Sequence, residues 1–322
     1  MSVGDHGLVA AEVSRLRRGA HEFLRRHAAR AWEHQHDGVR WDITLPPDLA
    51  ALPVRERFRA HARQEARRLS IARLYDLDAQ ITARAAGLGA AIRQGRHAEA
   101  VALAGHPHVA ATMGIDPPAA SGFLRWRDPG GIGYNPLGAP VLACHWGPAP
   151  GGGTWLAWWA DGQAVAAGYA AQAQAAGLYI SAGSVTRIFG PLWYDHQELL
   201  RPGAGSTRHG SGIPQPRPAV PDTGPLGGEG GTPGLVLLYT TLATWQLLAC
   251  PAAVGLSPQP VPAAELAADR AADLRTGPVT VATAARALPA PTSLRQPAAA
   301  DRARAPAMTI FTFCARTEPI TP

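Results

Sequence analysis

Residues 141–161 (VLACHWGPAPGGGTWLAWWAD) constrain this chain more than any other stretch. Two short apolar runs, 141–146 and 154–160, flank a connection of two prolines and four glycines, the punctuation of a β-hairpin. Alternation places Leu142, Cys144 and Trp146 on one side of the first strand and Val141, Ala143 and His145 on the other. In the second strand Trp155 and Trp159 share a face, and Leu156 and Trp158 take the opposite one. Indoles on both faces require cover on both faces, so the hairpin belongs near the centre of a sheet.

Composition limits the chemistry. All 30 basic residues are arginine, and no lysine occurs in the 322 residues. A P-loop needs a lysine at its phosphates, a protein kinase needs one on a strand, and pyridoxal-phosphate or Schiff-base chemistry needs a lysine amine. Those classes are excluded for this chain. Cys144, Cys250 and Cys314 are too widely and irregularly spaced for a disulfide framework or zinc knuckle. The amino-terminal residues lack the basic-then-apolar order of a secretory signal, so a cytoplasmic location is expected.

Along the chain, 5–32 reads as an amphipathic helix, with Val9, Val13, Leu16, Ala20, Phe23 and Leu24 on its apolar stripe. A short extended piece, WDITLPPDL, comes next. A long helical pattern then covers 54–92, with a break or kink near Ser70, and a short helix covers 97–104. From Ser121 the period becomes two: a strand at 122–127, the hairpin, an alanine-rich helix at 162–175, and strands at 178–181 and 185–194. Residues 202–234 are nearly all Gly, Pro and small polar residues and read as a flexible insertion. The uncharged run 235–250 reads as a buried helix: at about 1.5 Å per residue it is short for a bilayer, and it contains Thr240, Thr241, Thr244 and Gln246. A helix at 263–275, a strand at 279–284, a disordered stretch at 286–306 and an edge strand at 308–314 complete the reading.

Charge is unevenly distributed. Residues 1–106 carry 17 Arg against 12 Asp plus Glu, and residues 107–322 carry 13 against 12, so the amino-terminal helices hold nearly all of the net +6. Arg15, Arg17, Arg18, Arg25, Arg26, Arg63, Arg67 and Arg68 are the candidate contacts to nucleic acid or an acidic protein. A solvated helix surface with interspersed acids produces the same composition.

Acid–base candidates are Asp195, His196 and Glu198 in WYDHQE, with His145 as a possible contributor. A polar strand end produces that cluster as well. Cys144 and His145 are strand neighbours and face opposite ways, so they cannot form a nucleophile–base pair. His34-Gln-His36 and His106-Pro-His108 have His-x-His spacing without further ligands at a recognised interval; no metal and no cofactor is expected.

The order LYDLDAQITARAA, PPAASGFLRW, CHWGPAPGGGTWLAWWAD, GPLWYDHQELLRPG and LLYTTLATWQLLACP, within 54–255, resembles a group of actinobacterial proteins of unassigned activity that often occur near mobile elements and prophages. The resemblance implies a GC-rich bacterial origin and one integrated architecture. It carries over no active-site residue and no reaction.

The expected fold is α+β: a basic helical module (1–106), a Trp-rich, mostly antiparallel sheet of five or six strands (107–202), a flexible linker (203–234), and a buried helix with Pro/Ala-rich segments and a returning strand (235–322). The expected function is that of a non-enzymatic accessory or regulatory protein, contacting nucleic acid or an acidic protein through its arginine-rich helices, with no membrane partner. The alternative is an enzyme with an acid/base site at the sheet rim.

Overall fold

The computed structural model describes residues 3–38, 49, 51–104, 116–127, 132–135, 138–149, 152–179, 181–183, 186, 190–200, 233–249 and 254–284. The fold is α+β, built on a seven-stranded mixed sheet. The strands are β1 (Arg73–Leu77), β2 (Gly122–Trp126), β3 (Val141–Pro148), β4 (Thr154–Asp161), β5 (Leu192–Leu200), β6 (Val254–Gln259) and β7 (Val279–Ala284), in the spatial order β5-β4-β3-β2-β1-β7-β6. β1 pairs parallel with both β2 and β7, and the remaining pairings are antiparallel.

The β3–β4 hairpin lies inside the sheet, flanked by β2 and β5. Its turn requires glycine: Gly152 and Gly153 have φ of 92° and 95°, a region that L side chains rarely adopt. A register shift between Val141 and Ala143 turns Val141 to the same side as Cys144 and Trp146, correcting the strict alternation expected for that strand. The indoles of Trp126, Trp146, Trp155, Trp158 and Trp159 are all buried.

One sheet face is covered by α1 (Val3–Phe23), a π-helical turn (Leu24–Ala28), α2 (Ala29–Gly38), α3 (Val54–Ser70) and, later in sequence, α8 (Ala263–Ala271). We call this the amino-terminal layer. The π turn lets Phe23 reach Trp159 while Trp32 reaches Phe58, His61 and Tyr194. The opposite face is covered by α4 (Ala79–Arg93), α5 (His97–Ala104), α6 (Gly162–Ala175) and α7 (Pro233–Ala249). In that layer, α7 turns Thr241 and Thr244 toward the sheet. There they accept the indole N–H groups of Trp158 (2.9 Å) and Trp126 (3.3 Å). Among the described residues no helix is long and apolar enough to cross a membrane.

Several expectations need correction. The helical pattern over 54–92 is broken by β1. Leu74, Tyr75, Asp76 and Leu77 are buried on both faces, as in a parallel interior strand, and tertiary pairing outweighs the helix-like spacing. Asp78 then caps α4, its carboxylate accepting from Ile81 N at 2.7 Å. Of the strand expected at 178–181, the described residues Leu178, Tyr179 and Ser181 are in no strand, and Leu178 and Tyr179 are exposed. Gly190-Pro191 precedes β5 rather than interrupting a strand at 185–194, with Gly190 at φ 78° making the turn. β6, which contains Gly255 and Pro258, was not expected; it lies at the sheet edge, where proline's missing N–H is tolerated. The stretch 39–48, the insertion up to 232 and the segments 286–306 and 308–314 lie outside the described residues.

Candidate functional site

α3 has two chemically different sides. Phe58, Ala62, Ala66 and Leu69 face inward at three- and four-residue steps, and His61, Glu65 and Arg68 are buried with them. Arg55, Arg59, Arg63 and Arg67 recur every four residues on the exposed side.

The inward groups meet the hairpin. Glu65 Oε2 lies 2.5 Å from His145 Nε2, and Trp159 Nε1 donates to His145 Nδ1 at 2.9 Å. Since Nδ1 accepts, the ring proton on Nε2 is the one donated to Glu65. Arg68 pairs with Glu65 Oε1 through Nη1 and donates from Nε to the Pro148 carbonyl at 3.0 Å. Gly147 makes that crossing possible: a Cβ there would lie 2.6 Å from Arg68 Cγ. Gln197 Oε1 accepts from His61 Nε2 (2.7 Å) and from Tyr194 Oη (2.6 Å), linking β5 to α3. Burial alone would raise the Glu65 carboxyl, but the facing His145, His61 and Arg68 outweigh it and hold the group at about 2. Burial lowers His61, against the pull of Glu65, and leaves its Nδ1 without a hydrogen-bond partner.

Two further ionic networks lie under the same layer. Arg17, wholly buried, donates to Asp269 Oδ2 (2.8 Å), Thr276 Oγ1 (2.8 Å) and the Arg275 carbonyl (2.8 Å). Asp269 also accepts from Ser14, Thr276 and Arg18, so α1 and α8 are joined through one carboxylate. On β1, buried Asp76 pairs with Arg125 (2.7 Å) and with Arg127, and Glu12 of α1 reaches Arg125 at 2.5 Å. Burial raises Asp76 and the two arginines only partly oppose it.

The candidate arginines therefore divide. Arg17 and Arg68 point into the protein, and Arg18 is occupied by Glu265 and Asp269. Arg15, Arg25, Arg26, Arg63 and Arg67 are exposed. Of these, Arg15 approaches Glu265 at 3.8 Å and Arg26 pairs with Glu22 at 2.8 Å. Arg55, at the start of α3, pairs with Glu33 of α2. Arg25, Arg30, Arg59, Arg63 and Arg67 form no ion pair among the described residues.

Of the acid–base candidates, the side chains of His196 and Glu198 lie outside the described set, and only the strand register places these residues. β4 lies between β3 and β5; His196 is opposite Trp158 and Glu198 opposite Leu156, while Asp195 falls at a bulge. Gln197, opposite Ala157, is the β5 residue joined to the buried network. His145 is wholly enclosed, so any reaction there would need a substrate to reach an atom with no solvent exposure. Cys144 faces the apolar layer, where burial pushes its thiol far up despite a hydrogen bond with Thr241. Among the described residues no group of three His, Cys, Asp or Glu is placed to hold a metal ion. The side chains of His34 and His36, together with residues 106–108, lie outside the described set.

Sequence reading missed Glu65, His61 and Gln197, and read Arg17 and Arg68 as contact residues. A signal was present. Arg17 stands four residues after Val13 and three before Ala20, and Glu65 three after Ala62 and four before Leu69; each is a charge on an apolar stripe. Neither a family model, nor a curated protein, nor a solved structure matches this chain.

Proposed function

We propose that this is a non-enzymatic binding protein that contacts an extended polyanion, nucleic acid or an acidic protein, through the outer side of its amino-terminal layer in the cytoplasm. The observation that carries the reading is the row Arg59, Arg63 and Arg67, exposed and without acidic partners among the described residues. Like charges at four-residue spacing each cost a helix about 0.2–0.5 kcal/mol, and an acidic partner relieves that repulsion. The fold does not need these side chains; inward-facing residues hold α3 to the sheet. Arg25 and Arg30 belong to the helical segment packed against α3, so they add charge to the same layer.

Heparin, a generic polyanion, provides the test. The reading predicts binding at 50 mM salt that weakens by a factor of ten or more at 200 mM. No binding at 50 mM, or binding indifferent to salt, would remove it.

A further inference from the structure

The structure assigns a more specific partner to this face: we infer that it grips the phosphate backbone of a duplex nucleic acid, without reading bases and without a single-strand preference. The inference rests on the polyanion reading above. Two observations carry it, one about spacing and one about what is missing around the arginines.

Arg59, Arg63 and Arg67 follow one line along α3, separated by about 6 Å per step and about 12 Å end to end. A duplex strand carries one phosphate per about 3.4 Å of axis, so the row spans three or four consecutive phosphates. Guanidinium groups suit this work, since each offers paired donors to phosphate oxygens. The row is part of a regular helix anchored by the buried Glu65, His61 and Arg68, so its spacing is set before any partner arrives.

Single-strand binders place aromatic rings between their basic groups so that bases can stack. Among the described residues this layer keeps its aromatics inside. Phe23, Trp32 and Phe58 are buried, and among the described residues the exposed large apolar side chains are Val54, Ile71, Leu178, Tyr179 and Leu256. No ring accompanies the arginine row on α3 itself, where Phe58 is turned toward the core. The exposed positions of α3 are Val54, Arg55, Glu56, Arg59, Arg63 and Arg67, so no fully exposed Asn or Gln stands in the row to read adenine edges; its one amide side chain, Gln64, is half-buried. On α3, a charged row with no ring and no fully exposed amide beside it fits a stacked duplex, whose backbone is its accessible charge.

Fluorescence anisotropy of the full chain against four labelled probes decides the matter: a 20-base-pair DNA duplex, the same sequence as duplex RNA, one of the single DNA strands, and polyglutamate. The inference predicts that at least one duplex binds at least fivefold tighter than the single strand and than polyglutamate. It also predicts a log–log salt slope near −3 to −4. The triple change Arg59→Gln, Arg63→Gln and Arg67→Gln should flatten that slope by about 2–3 and cost at least tenfold at 100 mM salt. Arg96→Gln, on an exposed residue of the opposite layer, should change neither. A melting curve for the triple variant separates lost binding from lost folding, and single changes at each position serve if the triple does not fold.

Equal or tighter single-strand binding overturns the duplex assignment and leaves the polyanion reading standing. Binding to polyglutamate alone does the same and points to an acidic protein. Duplex binding unchanged in the triple variant places the contact elsewhere and overturns the inference. Failure of every probe, heparin included, removes both.

Discussion

The two layers that cover the sheet solve the same problem with different chemistry. Under α7, tryptophans of β2 and β4 bury their rings and pass their N–H groups to threonine hydroxyls. Under α1, α3 and α8, carboxylates, guanidiniums and imidazoles are buried in three separate networks. Removing an indole from water stabilises by roughly 4–5 kcal/mol for about 150–200 Å² of ring surface, as an upper bound. Removing an ion pair gains little, because desolvation offsets most of the attraction. Both layers bury aromatic rings, among them Phe23, Trp32, Phe58 and Trp159 under the amino-terminal helices, so apolar burial rather than ion pairing supplies most of the stability on either face. The ionic networks add specificity of placement: Arg17 has one carboxylate to find, and α3 has one register in which Glu65 meets His145.

The largest effect is expected at Asp269, which joins α1 to α8. Asp269→Ala leaves Arg17 buried without its partner, and a loss of about 3–5 kcal/mol in chemical unfolding is expected. Replacing both, Arg17→Met with Asp269→Leu, should recover much of that loss. If the single change costs less than 1 kcal/mol, the buried pair is not holding α1 to α8.

Glu65→Gln is next, at about 2–3 kcal/mol, since it leaves Arg68 without a counter-charge. It should also alter the pH profile. Glu65 falls from its usual 4.5 to about 2 in the folded protein, so its contribution is complete above pH 4.5 and is lost as pH falls toward 2. Burial, ahead of the neighbouring Arg25 and Arg17, lowers His21 from 6.5 to about 4; that contribution is complete above pH 6.5 and lost on the way down to 4. His61 shifts in the same direction as His21, whereas the raised Asp76 opposes the trend by favouring the folded state on acidification. Net stability should fall below pH 6.5, and Glu65→Gln should flatten the limb below pH 4.5. Denaturant midpoints between pH 3 and 8 measure both.

On the apolar layer, Thr241→Val removes the acceptor of the Trp158 N–H and should cost about 1–2 kcal/mol, with an unaltered pH profile. A change in acid sensitivity there would erase the distinction between the layers. The smallest effect belongs to the outer surface: Arg63→Ala should stay within about 0.5 kcal/mol of the parent in thermal unfolding, whatever it does to binding.

Much of the sheet was legible in the sequence because its signals are local. The hairpin, the alanine-rich helix of residues 162–175, the helix at 97–104 and the strand at 279–284 follow from periodicity and turn residues within their own windows. β1 was not legible in that way. Leu74, Leu77, Ile81, Ala85 and Leu88 satisfy helical spacing, and only pairing with β2 and β7, far along the chain, makes residues 73–77 extended. The placement of β5 likewise depended on Gly190-Pro191 opening the strand, which local alternation does not distinguish from a break within it.

For the candidate site, sequence alone established an arginine-only basic complement, concentrated in the amino-terminal helices, and thereby excluded lysine chemistry. Tertiary structure decided which arginines face water. Arg17 and Arg68 resemble Arg15 and Arg67 in composition and neighbourhood, yet one pair is buried against carboxylates and the other is solvated. Helical position narrows that choice, but the carboxylate that makes burial of Arg17 tolerable is Asp269, more than 250 residues along the chain. A charge can enter a core only where a distant segment brings its counterpart, and the folded arrangement is what brings the two together.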